Sequence, residues 1–174
     1  MKRLLLLRHA KAVPGNAKTG DHGRPLAERG RVDAQRMGAE MQHRGFVPQT
    51  VLCSTARRTV ETWDGVSPEL GSKPQIEFLG ELYLAPAEAI IQLLRSRHPR
   101  AETVLVIGHN PGMEDCAAVL LGEPGQEDDA ALRERLGEKF PTCALAVLDF
   151  EIDNWSELRG GTGLLQDFVR PKDL

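Results

Sequence analysis

Short apolar runs alternate along this chain with longer segments of helical spacing. Residues 4–7 are four consecutive leucines, and residues 50–53 (TVLC), 103–107 (TVLVI) and 144–150 (ALAVLDF) are three further runs. Runs this short do not separate strand from buried helix by period, so β-branched content and flanking turn residues decide. TVLVI, closing on Gly108, is the clearest strand. Between the runs, Ala34, Met37, Gly38 and Met41 fall at i, i+3, i+4 and i+7, as do Ala87, Ile90, Ile91 and Leu94 behind Pro86. Met113, Cys116, Ala117, Leu120 and Leu121 repeat that spacing after Asn110 and Pro111, read as an N-cap and first helical residue. A leucine run without polar alternation is the pattern of a central strand covered on both faces. Strands alternating with amphipathic helices predict an α/β fold, a three-layer α/β/α sandwich around a mostly parallel sheet.

Residues 122–141 break the rhythm. The stretch is polar, acidic at its start, and reads as a solvated excursion holding a short helix near 128–139. A lid or substrate-facing insertion is the alternative reading. No repeat, low-complexity tract or linker divides the chain, so one domain over residues 1–174 is expected.

Composition narrows the partners. The chain is 41% hydrophobic and 27% charged, as soluble globular proteins are. A net charge of -3 supplies no basic field for a nucleic-acid backbone. Cys53, Cys116 and Cys143 are odd in number and lie in or beside apolar segments, which reads as buried free thiols in a reducing compartment. Lys2 and Arg3 before the leucines faintly resemble a secretion signal, but the apolar run is too short and Arg8 interrupts it. No run approaches a membrane span. A cytoplasmic chain without a membrane partner is expected, monomeric by default.

The chemistry gathers where strands end. In open parallel sheets ligands collect beyond the carboxyl ends of the strands. Arg8 and His9 follow the first run, Ser54 to Arg58 the second, and Gly108, His109, Asn110 and Pro111 the third. Two helix N-termini, one capped by Ser54 or Thr55 and one by Asn110, are expected at the same edge, with Arg58 in the first turn of one of them. Helix N-termini and arginine forks both favour anions, and together they point to a phosphoryl group. No Walker-type GxxxxGK[ST] loop occurs. His9 and His109 lack a third ligand at a convincing spacing, and crowded arginines repel cations, so no metal and no cofactor is expected. A histidine there is better cast as nucleophile or proton carrier.

These residues carry a resemblance. Arg8-His9 within LLLLRHAKA, Ser54-x-x-x-Arg58-x-x-x-Thr62 within CSTARRTVET, and Gly108-His109-Asn110-Pro111-Gly112 together resemble the motifs of the histidine phosphatase superfamily, whose fold is phosphoglycerate mutase-like. Ala10 replaces the glycine usual after the first histidine, which is familiar in the SixA-type phosphohistidine phosphatase branch, and Thr55 replaces a frequent proline. Asp21-His22-Gly23-Arg24-Pro25-Leu26 followed by Gly30, and Phe140-Pro141-Thr142 before an apolar strand and Trp155, also resemble that branch.

The resemblance implies a phosphatase. His9 would attack phosphorus and hold a transient phosphohistidine, while Arg8, Arg58 and His109 clamp the phosphoryl oxygens. Arg24 is an implied additional phosphate ligand. Asp21 is the first choice as general acid, with Glu81 in FLGELY the alternative. The implied partner is a phosphorylated protein, such as a histidine-phosphotransfer domain, or a small phosphorylated compound. A phosphomutase, which needs a larger enclosing lid, and a non-catalytic phosphate-binding module are the lower-ranked rivals.

Overall fold

The leucine run forms an inner strand of a six-stranded sheet in the computed structural model, which describes residues 1–97, 100–123 and 130–174. The strands are β1 Lys2–Arg8, β2 Thr50–Ser54, β3 Gln75–Leu79, β4 Thr103–Gly108, β5 Leu145–Phe150 and β6 Leu164–Val169, ordered β3-β2-β4-β1-β5-β6. β1 pairs parallel with β4 and antiparallel with β5, while β2 pairs parallel with both β3 and β4. β6 lies antiparallel to β5, so β5 alone runs against the others.

The helices are α1 Glu28–His43, α2 Arg57–Val66, α3 Ala87–Arg97, α4 Gly112–Leu120 and α5 Ala130–Glu138. They divide the core in two. Leu5 and Leu7 pack with Ala34, Met37 and Met41 of α1 and Trp63 and Val66 of α2. Leu4 and Leu6 pack with Ile90, Ile91 and Leu94 of α3 and Met113, Cys116 and Leu120 of α4. All four leucines are fully buried, at about 1.5–3 kcal/mol of transfer free energy each, and the expected three-layer α/β/α sandwich follows.

Four of the six strands stand where the apolar runs placed them. The two without a foreseeable run, β3 and β6, are the edges of the sheet. An edge strand is covered on fewer sides, so polar residues such as Glu77 and Gln166 interrupt it and no apolar run announces it.

The helix expected at 128–139 is α5, and residues 128 and 129 lie outside the described residues. It adds Leu136 to the core, and Phe140 just beyond it is fully buried. The three cysteines are buried free thiols, each pushed up in pKa by that burial. Among the described residues no helix is long and apolar enough to cross a membrane.

Candidate active site

Three parallel strands end at one edge and deliver the polar residues together. Arg8 closes β1, with His9 directly after it, and the His9 amide donates to Gly108 O at the end of β4 (3.0 Å). Ser54 closes β2, and its hydroxyl lies 2.7 Å from His109 Nε2. Thr62 ties two motifs to each other, because its hydroxyl donates to Arg58 O (2.6 Å) and accepts from the Ala10 amide (3.0 Å). The result is a cleft of about 280 Å³ lined by Arg8, His9, Lys11, Asp21, Arg24, Arg58, Leu84, His109, Asn110 and Thr142, among others.

Hydrogen bonding decides which nitrogen of His9 is available. Nδ1 lies 2.8 Å from Ala10 O. A carbonyl only accepts, so Nδ1 carries the proton and Nε2 keeps its lone pair. Burial first, then Arg58, Arg8 and Arg24, lower the pKa of His9 to about 4 against the opposing Ala10 hydrogen bond. His9 is therefore neutral at neutral pH. His109, with its ring centroid 5.3 Å from that of His9, is lowered to about 3 by burial, then by His9 and Arg58.

The cations around His9 keep free capacity. Arg8 Nη1 donates to Phe140 O (2.9 Å), a carbonyl that also accepts from Asn110 Nδ2 (3.1 Å). Arg58 is 2% exposed and donates from Nη1 to Asp21 O (2.8 Å) and from Nη2 to Asp21 Oδ2 (3.1 Å). Yet Arg8 Nε, Arg58 Nε and His109 Nδ1 are buried without any hydrogen-bond partner. Unpaired buried polar atoms are rare and costly, and here three belong to residues that line one cleft. An anion in the cleft would relieve that cost.

Two expectations about this edge are corrected. Helix α2 is flanked by Ala56 and not by Ser54 or Thr55, because Ser54 remains in β2 and its oxygen faces His109. Helix α4 begins at Gly112, with Pro111 in the flanking position; the Asn110 side chain bridges Phe140 O and the Glu114 carboxylate and accepts from the Glu114 amide. The amides of Arg57, Met113 and Glu114 already donate to His22 O, His109 O and Asn110 Oδ1. Anion-binding capacity therefore rests with the guanidinium groups rather than with these first-turn amides.

The acid assignments change as well. Asp21 does reach the cleft, but it accepts from the Tyr83 hydroxyl, from Arg24 Nη1 (3.1 Å) and from Arg58. Tyr83, followed by Arg24 and Arg58, holds its carboxyl well below the usual carboxylate range. A carboxylate kept ionised by three donors is placed to anchor the arginines, in contrast to the general-acid role expected for Asp21. Glu81 does not line the cleft. It sits in the short turn Gly80–Leu82, exposed, in an ion pair with Arg97 (3.2 Å) on α3. Arg24 lines the cleft, its Nε held by Val13 O (2.8 Å).

Tyr83 was not foreseeable as a site residue. Its ring stands edge-on to His109 (centroids 5.5 Å) and to His22 (4.8 Å), with the Arg58 guanidinium carbon 5.9 Å from its centroid. A lone tyrosine in an irregular segment carries no spacing signal that would place it there.

Relatives match this arrangement. Residues 4–84 match the sequence model of the histidine phosphatase superfamily (branch 1). The uncharacterized protein Rv1276c of Mycobacterium tuberculosis is 33% identical over 166 residues, covering 95% of this chain and all of that one. SixA from Agrobacterium tumefaciens superimposes with a TM-score of 0.81 at 30% identity, covering 98% of each chain. The chain belongs to the histidine phosphatase superfamily, in its SixA-like branch. The protein histidine phosphatase SixA complexed with tungstate shares the fold of this superfamily member, with a TM-score of 0.76, 22% identity and 98% of each chain covered. The superfamily motifs of this chain are thus the segments that build the cleft: RHA supplies Arg8 and His9, Ser54 and Thr62 orient His109 and bind Ala10, and Gly112 lets α4 start against the Ala85 carbonyl.

Proposed function

We propose that this protein is a phosphatase that acts on a protein-borne phosphohistidine through a covalent phosphoryl intermediate on His9. The observation that carries this reading is a cleft joining a neutral histidine, lone pair on Nε2, to three arginines, with its one lining carboxylate held ionised. His9 Nε2 attacks phosphorus as the bond to the leaving nitrogen breaks. Arg8 Nε, Arg58 Nε and a proton on His109 Nδ1 meet the charge on the phosphoryl oxygens, the positioning and electrostatic work that phosphoryl transfer mainly requires.

The leaving group follows from the missing acid. An alkoxide is a poor leaving group unless a proton reaches it, and general acids contribute about 10²–10⁴-fold to such steps. A phosphoimidazole protonated on its distal nitrogen departs as neutral imidazole and asks the protein for no proton. The same logic empties the intermediate. Ala10 O keeps the proton on His9 Nδ1, so phosphorylated His9 is itself a protonated phosphoimidazole. Water attacks phosphorus, the N–P bond breaks, inorganic phosphate leaves and His9 returns neutral. SixA, the protein histidine phosphatase of similar fold, supports the substrate class.

The test compares turnover of a phosphohistidine-bearing protein, p-nitrophenyl phosphate and glycerol phosphate by wild type and His9→Ala. We expect the alkyl ester to lag the other two by about 100-fold or more, and His9→Ala to lose at least about 10⁴-fold on all. Glycerol phosphate turned over as fast as the others would overturn the substrate class. Equal rates in both proteins would remove His9 as nucleophile, and no turnover in either would leave a phosphate-binding module.

A further inference from the structure

Most of the cleft wall is cationic or polar; the apolar residues lining it are Ala12, which is buried, and Leu84, which is exposed. Met1, Val32, Phe78, Leu84 and Val119 are the exposed large hydrophobic side chains among the described residues, and only Leu84 lines the cleft, 54% exposed. Its backbone stands at φ 51°, in the left-handed region that a branched side chain rarely adopts. Such a conformation persists where the surroundings over-determine it.

Both neighbours are pinned. On one side the Tyr83 hydroxyl donates to Asp21 and the Tyr83 ring abuts His109. On the other, the Ala85 carbonyl sits so close to Gly112 that a Cβ there would fall 1.9 Å from its oxygen. The loop is thus fastened to the Asp21 anchor and to the start of α4, and the residue between them is held over the phosphoryl site. Burial does not explain a leucine there, since more than half of it faces solvent, and glycine or asparagine would take the backbone shape more readily.

We infer that Leu84 is a specificity-determining residue that covers one face of the leaving group, selecting a flat ring such as the imidazole of a phosphohistidine over a hydroxylated chain. This rests on the phosphatase reading above and names how the same cleft sorts its substrates. The phosphoryl group is held by Arg8, Arg58 and His109. The leaving group extends out of the cleft past Leu84, where an apolar face gains by losing water and a polyol face does not. A phosphoryl compound without a ring makes no such contact.

The experiment compares N-phosphoimidazole with phosphoramidate, which carries the same P–N chemistry and no ring, in wild type, Leu84→Gly and Leu84→Asn. Both replacements suit a positive φ, so the loop keeps its shape, and thermal unfolding verifies the fold. For N-phosphoimidazole we expect kcat/KM to fall about tenfold in both variants, chiefly through KM, as expected for uncovering one or two methylene groups' worth of ring. Phosphoramidate should change less than twofold. An equal fall for both substrates would make Leu84 a structural residue and overturn the inference, as would no fall for either. Asparagine matching leucine would show that bulk and not apolar surface matters, which also overturns it. Wild type inactive on both compounds is a different result, which strikes the phosphatase reading itself.

Discussion

Strand β1 carries an arginine near each end, and the two are used in opposite ways. Arg3 donates to Asp149, directly opposite on β5, from Nε and Nη2, both at 2.7 Å, and that pairing raises its pKa. Arg8 has one carbonyl partner and a buried Nε with none, and burial lowers its pKa. A hollow of about 690 Å³ lies at the Asp149 end, against about 280 Å³ at the Arg8 end. Volume would choose the wrong end. The Arg3 fork is committed to Asp149, whereas Arg8, Arg58 and His109 keep buried unpaired atoms beside a neutral histidine.

Replacing each of the two arginines tests that contrast directly. Arg8→Ala should lower kcat/KM for p-nitrophenyl phosphate about 10²–10³-fold, the usual cost of removing an oxyanion donor. Arg3→Ala should leave it within about twofold while reducing unfolding free energy in urea by about 1–3 kcal/mol, because Asp149 loses its bidentate partner. Comparable losses of activity from both variants would erase the distinction between the two ends.

Acid sharpens it next. Unfolded histidines titrate near 6.5, but folded His9 and His109 do so at about 4 and about 3. Between these values the unfolded chain binds more protons, so stability is fully present above about pH 6.5 and is lost as pH falls towards 4. Asp21, with a depressed pKa, adds to the loss at still lower pH. Urea midpoints measured from pH 7 to 4 should fall steadily. The acid limb of kcat/KM, corrected for the ionisation of the substrate, should lie well below pH 6.5. A limb at 6.5 would mean that His9 is not depressed.

Tyr83→Phe should give the smallest change, a fall of about three- to tenfold in kcat/KM. The hydroxyl donates to Asp21, which keeps Arg24 and Arg58 as partners without it. Inorganic phosphate should inhibit the variant more weakly than wild type, a readout that a purely structural role would not move. Unchanged inhibition would remove Tyr83 from the anchoring network.

The residues readable in advance share one property, which is that regular structure places them. Arg8, His9 and His109 follow apolar runs, and Arg58 opens a helix after another, so strand ends in a parallel sheet bring them together without further information. Asp21 and Arg24 sit in an irregular stretch between β1 and α1, where no period predicts direction. Their motif announced relevance, but only three-dimensional contacts show Asp21 tied to Tyr83, Arg24 and Arg58. Glu81 illustrates the reverse error. A carboxylate after a middle strand looked suited to donate a proton, and Arg97, distant in sequence, pairs with it instead.

By itself, then, the sequence determined the layers, the inner strands and the set of cationic and imidazole groups at their carboxyl ends. Those follow from hydrophobic periodicity and the short reach of a strand into its following turn. Tertiary structure alone decided which polar atoms are satisfied. Arg3 finds Asp149, Ser54 finds His109, Tyr83 and two arginines find Asp21, and Ala10 O fixes the proton on His9. Satisfaction depends on partners brought within about 3 Å by packing, and a linear pattern holds no measure of that distance.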